Sequence, residues 1–288
     1  MDNFINLIGN VIVFGLGSAI GSFLNVVIYR IPAGLSILHP PSRCPHCLHK
    51  LGITENIPVF GWIFLQGKCK HCHSPISIRY PIIETVTGLL FLFVFWTFDV
   101  SLYTLGFWIF LSWLLALSMI DLDTMTLPSI LTKSGLIVGL IFEVIFWSTK
   151  GLNFNEVIHK LTISNDLVSG GIFGAILGIW MIDIITILGS ILLKQRAMGS
   201  GDAHLAAMMG AWLGWKYLLI AGFLACFVGL FTGIGAFIQG LRIKRRIPVP
   251  FGPSLSMGAV LTMFAGEQFW QSYLQFADLL QQLIGRFF

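Results

Sequence analysis

Two acidic residues stand where acids are costly, each beside an apolar run. Asp121 closes the uncharged stretch 100–120, in the frame Ile120-Asp121-Leu122-Asp123-Thr124. Asp202 follows Met198-Gly199-Ser200-Gly201 and precedes the largely apolar stretch 203–215. Ionisable groups next to hydrocarbon are expensive, so function is their default explanation. Two carboxyl groups that can meet are enough to hydrolyse a peptide bond without a metal or a covalent nucleophile. One accepts a proton from water while the other polarises the scissile carbonyl. Close carboxyls disfavour double ionisation, so such a pair titrates as a unit. Gly199 and Gly201 permit backbone geometry closed to other residues and leave room for a substrate backbone. A mere helix-capping role fits Asp202, at a helix start. It does not fit Asp121, which follows the end of its run, at the unfavourable pole. Asp123 reads as a solvated carboxylate at the same edge.

A second constellation is Cys44-Pro45-His46-Cys47 and Cys69-Lys70-His71-Cys72. Two CxxC knuckles at this separation read as a four-thiolate zinc site. The segment holding them, residues 30–80, is too small and polar to build a core, so a metal takes the place of one. The bland alternative is two unmetallated thiol pairs. His39, His46, His49, His71 and His73 share the loop but are surplus to four cysteines. Cys226, in an apolar run, reads as a packing residue.

The elements that must position these groups are membrane helices. The chain has 288 residues, of which 56% are hydrophobic and only 10% charged. Its mean hydropathy is +0.86. Soluble domains carry about 25% charged residues, so the pattern is that of an all-α polytopic membrane protein. Residues 4–29 lack a basic leader and a small-residue cleavage site, and read as a retained span. Further spans are expected at 81–98, 100–120, 128–148, 167–193, about 199–215, 217–241 and 250–265, about eight in all. The sixth is wholly apolar only over 205–215, short of the ~20 residues that cross a bilayer, so it must lie under protein cover. Residues 271–288 are expected to form an interfacial amphipathic helix, with a ninth span as the alternative. The domain plan is a first helix at 1–29, a zinc-binding loop at 30–80, a seven-helix core at 81–270 and that C-terminal helix. Asp183, mid-span, calls for a partner or a proton. With the N-terminus outside, 13 lysines and arginines fall inside and 4 outside. That orientation puts both Asp121 and Asp202 at the cytoplasmic edge. The net charge of +4 is small, and no nucleic-acid partner is expected.

At this point the residues resemble a known family. Gly21-Ser22-Phe23-Leu24-Asn25, Arg43-Cys44-Pro45-His46-Cys47, Gly67-Lys68-Cys69, Arg79-Tyr80-Pro81, the segment 121–128, Gly199-Ser200-Gly201-Asp202 and Pro250-Phe251-Gly252-Pro253 occur in the order found in the bacterial prepilin peptidases, or type IV leader peptidases. Any one of these motifs is weak, but the ordered set is specific. The resemblance implies a bifunctional enzyme of the bacterial inner membrane. Such enzymes cleave the short basic leader of type IV prepilins and type II secretion pseudopilins at the cytoplasmic face. They then N-methylate the new terminus with S-adenosylmethionine. It implies catalytic roles for Asp121 and Asp202, supported by Gly199 and Gly201. It implies a cysteine set at Cys44, Cys47, Cys69 and Cys72. Glu84 occupies a position usually glutamate in the family, where it would orient the basic leader or cap a helix. One departure is His204, where the family usually has lysine. No soluble-type donor motif is present, and Gly15-x-Gly17-xxx-Gly21 reads as a helix-packing face. The rival readings are a general Gly-x-Gly-Asp intramembrane protease and a transporter with a zinc-sensing loop. The former places its acids deeper, and the latter needs broken helices near the midplane.

Overall fold

The computed structural model describes residues 2–149, 168–194, 198–243 and 249–284. The described residues form α1 (Asp2–Arg30), α2 (Phe60–Phe64), α3 (Arg79–Phe98), α4 (Leu102–Thr124), α5 (Ser129–Thr149), α6 (Val168–Leu193), α7 (Ser200–Ile243) and α8 (Gly252–Ile284), with one 3-10 turn at Thr54–Asn56. Among them there is no strand, only two isolated bridges in the cysteine loop. The fold is all-α, as expected. Six helices are long and apolar enough to cross a membrane. The chain divides into two compact units, Met1–Ile120 and Asp121–Phe288.

In the first unit, α1 and α3 pack through small residues. A Cβ on Gly17 would come within 2.8 Å of Gly88 Cα, and one on Gly21 within 2.8 Å of Glu84 Cα. Lipid gives helices no hydrophobic reason to associate, so close backbone approach and van der Waals contact hold them. The expected glycine face is therefore real at Gly17 and Gly21, whereas Gly15 meets open space. Val13, Phe91 and Leu92 form a buried cluster against which Trp108 packs. The Trp108 ring stacks on Phe91 at 5.0 Å, and its Nε1–H donates to the Phe91 carbonyl.

In the second unit, the 44-residue α7 is too long for one crossing, and it breaks at Gly214 (φ 74°, ψ 169°). Its two arms, 200–213 and 215–243, lie against α6 in opposite senses. Gly174 meets Gly210 and Gly178 meets Ala206, while Met181 meets Gly222. The chain therefore folds back on itself at Gly214, and the expected sixth and seventh spans are these two arms. The short first arm lies under protein cover: Leu205, Ala206, Met208 and Met209 are fully buried. Trp212 closes it onto α5, donating to the Gly135 carbonyl at 2.9 Å. The second arm packs on α8, where Gly258 meets the Ala221 carbonyl. Among the described residues, counting the two arms of α7 separately gives seven apolar rods, the first arm a short one, and α8 is an eighth long helix.

Four expectations need correction or limits. α8 runs unbroken to Ile284, so the described part of 271–288 continues the last helix rather than forming a separate one. Its exposed Tyr273, Phe276 and Leu279 keep the amphipathic pattern. Cys226 is exposed on α7, not packed. Asp183 is exposed on α6, with no partner among the described residues. Lys150, Lys160, Arg196, Lys244, Arg245, Arg246 and Arg286, which weighed in the charge asymmetry, lie outside the described residues.

Candidate active site and candidate metal centre

α4 carries its apolar run as far as Ile120, which is fully buried, and places Asp121 in its final turns. The helix stops just beyond. Met125 takes a positive φ of 53°, its amide donating back to the Asp121 carbonyl, and Pro128 follows. Asp121 is only 5% exposed, while Asp123 is exposed at the same edge. One Asp121 oxygen, Oδ2, accepts the backbone N–H of Gly252 at 2.9 Å. Gly252 is the first residue of α8, so this is one of the N–H groups that no helical carbonyl can satisfy.

Asp202 lies in the first turn of α7 and is 9% exposed. Its Oδ2 accepts the Gly199 N–H at 3.2 Å, and its own N–H donates to the Gly199 carbonyl. That closes a local turn, an N-terminal cap made by the aspartate itself. The two aspartates are close enough for the charge on Asp121 to act on Asp202. The two glycines are not placed for a special backbone conformation. Neither has a positive φ. A Cβ on Gly201 would lie 2.9 Å from Leu127 Cβ, so this glycine admits the turn that follows Asp121. Gly199 faces open space apart from its bond to Asp202. Among the expected site residues, the structure thus brings Asp121, Asp202, Gly199 and Gly201 together. His204 is exposed, with Nδ1 2.7 Å from the Ser200 carbonyl. Sequence reasoning missed Gly252 as a partner of Asp121. The available signal was Gly-Pro at the start of an apolar run, a helix-start pattern.

In the first unit, the cysteine loop builds two like knuckles. The Cys44 amide donates to the His49 carbonyl and Leu48 donates back to Cys44. Likewise Cys69 donates to Ser74 and His73 donates back to Cys69. Leu48 and His73 both take positive φ, 58° and 55°. The four sulfurs lie within 4.8 Å of one another, with Cys44–Cys72 at 3.7 Å and Cys47–Cys69 at 3.9 Å. A tetrahedral zinc with bonds of about 2.3 Å needs sulfurs about 3.8 Å apart, so the set fits. No disulfide joins these residues. The Cys47 amide, against an opposing effect of burial, and then the His46 amide hold the Cys44 thiol down at about 6. Lowering favours the thiolate, the ligating form. Cys47 moves the other way: against the His49 amide, burial and the neighbouring thiols push it up to about 12, so the thiolate character of this knuckle falls on Cys44. The histidines stand outside the set. The His49 and His71 rings meet at a tilt of 36° with centroids 3.4 Å apart, and His71 Nε2 lies 3.9 Å from Glu55.

Glu84 is buried near the start of α3. Its Oε2 accepts the Val59 amide at 2.7 Å, and the Ser22 hydroxyl also bonds the carboxyl. Val59 has φ 63° and ψ −55°, and the next amide, of Phe60, reaches the Pro58 carbonyl at 2.6 Å. That is a strained three-residue turn, and Glu84 holds its central amide.

A helical membrane protein with two buried carboxyls at adjoining helix ends, and a four-thiol cluster in a polar loop, defines a narrow class: a membrane-embedded hydrolase with a loop whose four thiols could hold a metal. The chain belongs to the type IV leader peptidase family, which it matches over residues 108–234, while residues 15–98 match the bacterial peptidase A24 N-terminal domain. It is 35% identical over 290 residues to a prepilin leader peptidase/N-methyltransferase of Stutzerimonas stutzeri, covering 92% of this chain and 93% of that protein. It is 33% identical over 286 residues to the protein of that name in Pseudomonas aeruginosa, covering 91% and 92%. A Neisseria gonorrhoeae protein of the same name is 31% identical over 281 residues, covering 89% and 91%. No solved structure matches the chain.

Proposed function

We propose that this chain removes the basic leader of type IV prepilins or type II secretion pseudopilins, using Asp121 and Asp202 as its acid–base pair, and then N-methylates the new N-terminus. The observation that carries the hydrolytic half is that two buried carboxyls stand at helix ends inside one compact unit, where the start of α7 at Gly201 packs on Leu127 in the turn that follows Asp121. A water between them loses a proton to one carboxylate as its oxygen adds to the scissile carbonyl carbon. The protonated carboxyl hydrogen-bonds the carbonyl oxygen and holds the developing charge. The carbon–nitrogen bond then breaks, and the leaving amine takes a proton from the acid pair.

The bilayer supplies the geometry. Asp202 stands at one end of the first arm of α7, and Trp215 follows the break at Gly214 at its other end; from Asp202 to Leu213 the helix rises about 16 Å. Around the far end, Trp215 and Trp270 meet edge to face at 6.3 Å and share Lys216, whose Nζ lies 5.8 Å from each ring. Tyr217 donates to Glu267 at 2.6 Å. Such amphipathic aromatics belong at a membrane–water interface. The aspartates then belong to the opposite face, which the lysine and arginine asymmetry makes the cytoplasmic face of the inner membrane. A basic leader stays on that side while the pilin's apolar helix enters lipid, so the scissile bond lies level with the acids.

Methyl transfer is supported by the relatives' names. S-adenosylmethionine supplies the methyl group in this reading. A cleft of about 370 Å³ in the first unit, lined by Ser22, Arg30, Ser42 and Asn56 among others, carries a cation and no carboxylate. It does not suit a donor bearing a sulfonium. The test is co-expression with a pseudopilin and mass measurement of the product. Loss of the leader plus one methyl group is expected. Asp121→Asn and Asp202→Asn should each slow cleavage at least about a hundredfold, the usual contribution of a positioned acid or base. Normal processing by either variant refutes its role.

A further inference from the structure

The two aspartates are held in unlike ways. Asp202 is held by its own turn, through Gly199 three residues earlier. Asp121 is held by Gly252, 131 positions away in sequence, through a buried bond of 2.9 Å. Gly252 contributes two things that a larger residue could not contribute together. Its N–H points at Asp121 Oδ2, and the empty space at its α-carbon is where that carboxyl sits. A Cβ there would lie 2.6 Å from Oδ2 and 3.1 Å from Cγ. The local sequence explains why this N–H is available. Gly252 opens α8, and Pro253 behind it has no N–H and a backbone angle already suited to a first helical turn. The Phe251 carbonyl is taken by the Leu255 amide, which fixes the turn. The positive end of a 33-residue helix therefore faces one oxygen of Asp121.

Resting on the two-aspartate reading, we infer that Gly252 is a positioning residue for peptide-bond hydrolysis, its N–H engaging Asp121 Oδ2 so that Oδ1 is the oxygen presented to water and the scissile carbonyl. The structure gives Oδ1 no hydrogen-bond partner among the described residues, which leaves it free for the reacting atoms. Gly252 acts through Asp121, and substrate binding does not depend on it.

Gly252→Ala tests this against Gly235→Ala, a second α7–α8 region glycine whose added Cβ meets nothing within 4 Å. Cleavage of a purified pseudopilin in detergent is followed for kcat, KM and the pH profile of kcat, with the melting temperature of each variant. Gly252→Ala should lose kcat by roughly tenfold to a hundredfold, as displacements of about 1 Å do. Its KM should stay unchanged and its pH profile should move, while Gly235→Ala matches the parent. A Gly252→Ala protein with parental kcat and pH profile overturns the inference. If Asp121→Asn is inactive in the same assay, the two-aspartate reading survives that result; if Asp121→Asn cleaves normally, that reading falls first. Should Gly252→Ala fail to accumulate, the double variant with Asp121→Ala removes the group the new Cβ would strike, and it must accumulate. Equal failure of the double variant overturns the contact.

Discussion

A buried carboxyl is useful only if something fixes its direction, and at this site the fixing groups are backbone amides. Asp121 takes an amide from Gly252, Asp202 one from Gly199, and Glu84, in the other unit, one from Val59. Glu84 is the case where function and architecture give opposite expectations. Its carboxyl is already committed to the Val59 amide and the Ser22 hydroxyl. Glu84→Ala leaves that half-buried amide without its partner, at a cost of up to about 1 kcal/mol, the low end for an unsatisfied donor. Glu84→Gln keeps an acceptor and should cost less. Both should lower the melting temperature while leaving KM for a basic leader unchanged. A KM rise with unaltered stability would instead give Glu84 the leader-orienting role. The same contrast explains what could be read in the sequence. Asp121 and Asp202 were legible because acids beside apolar runs are rare and expensive. Gly252 was not, because a backbone donor has no side chain to announce it, and its partner is 131 positions away.

Elements here meet through glycine as often as through large side chains. Gly174 and Gly178 of α6 meet the backbone of α7 at Gly210 and Ala206, Gly201 meets Leu127, and Gly171 leaves room for Glu143, which accepts its amide at 3.1 Å. Gly214 differs in kind. An added Cβ would find no neighbour nearer than 3.8 Å, so space is not what demands glycine there. Its φ of 74° and ψ of 169° lie in a region that residues with a Cβ almost never adopt. Gly214→Ala should therefore cost about 1–3 kcal/mol of strain, seen as a melting temperature lower by several degrees. Cleavage should weaken too, because the first arm carries Asp202. An unchanged melting temperature would mean that the reversal does not need this conformation. The two arms were readable because Trp215-Lys216-Tyr217 interrupts the hydropathy between two apolar stretches. The continuity of α8 was not, since an amphipathic pattern after 269 records which face meets lipid and leaves the backbone path undetermined.

At the scale of the whole molecule, the two constellations belong to different compact units. The sulfur cluster lies in the unit Met1–Ile120, and both aspartates lie in the unit Asp121–Phe288. The cysteine loop has few buried side chains besides Cys44 and Cys69, so a bound metal would supply the order that a core cannot. Purified protein should carry one zinc per chain, and Cys69→Ser with Cys72→Ser should remove it. Acid acts through the thiols. Cys44 has its thiol lowered from 9.0 to about 6, so the ligating thiolate persists above that pH and is lost as pH falls through it. Zinc uptake by metal-stripped protein should accordingly fail below about pH 6, which metal analysis after dialysis across pH will show. Because the acid pair belongs to the other unit, metal loss should reduce N-methylation more than leader cleavage, with the loop as the platform for methyl transfer. Scoring both reactions on one pseudopilin, with parent and double-serine protein, decides it: cleavage abolished while methylation of a precleaved substrate persists would reverse this division of labour.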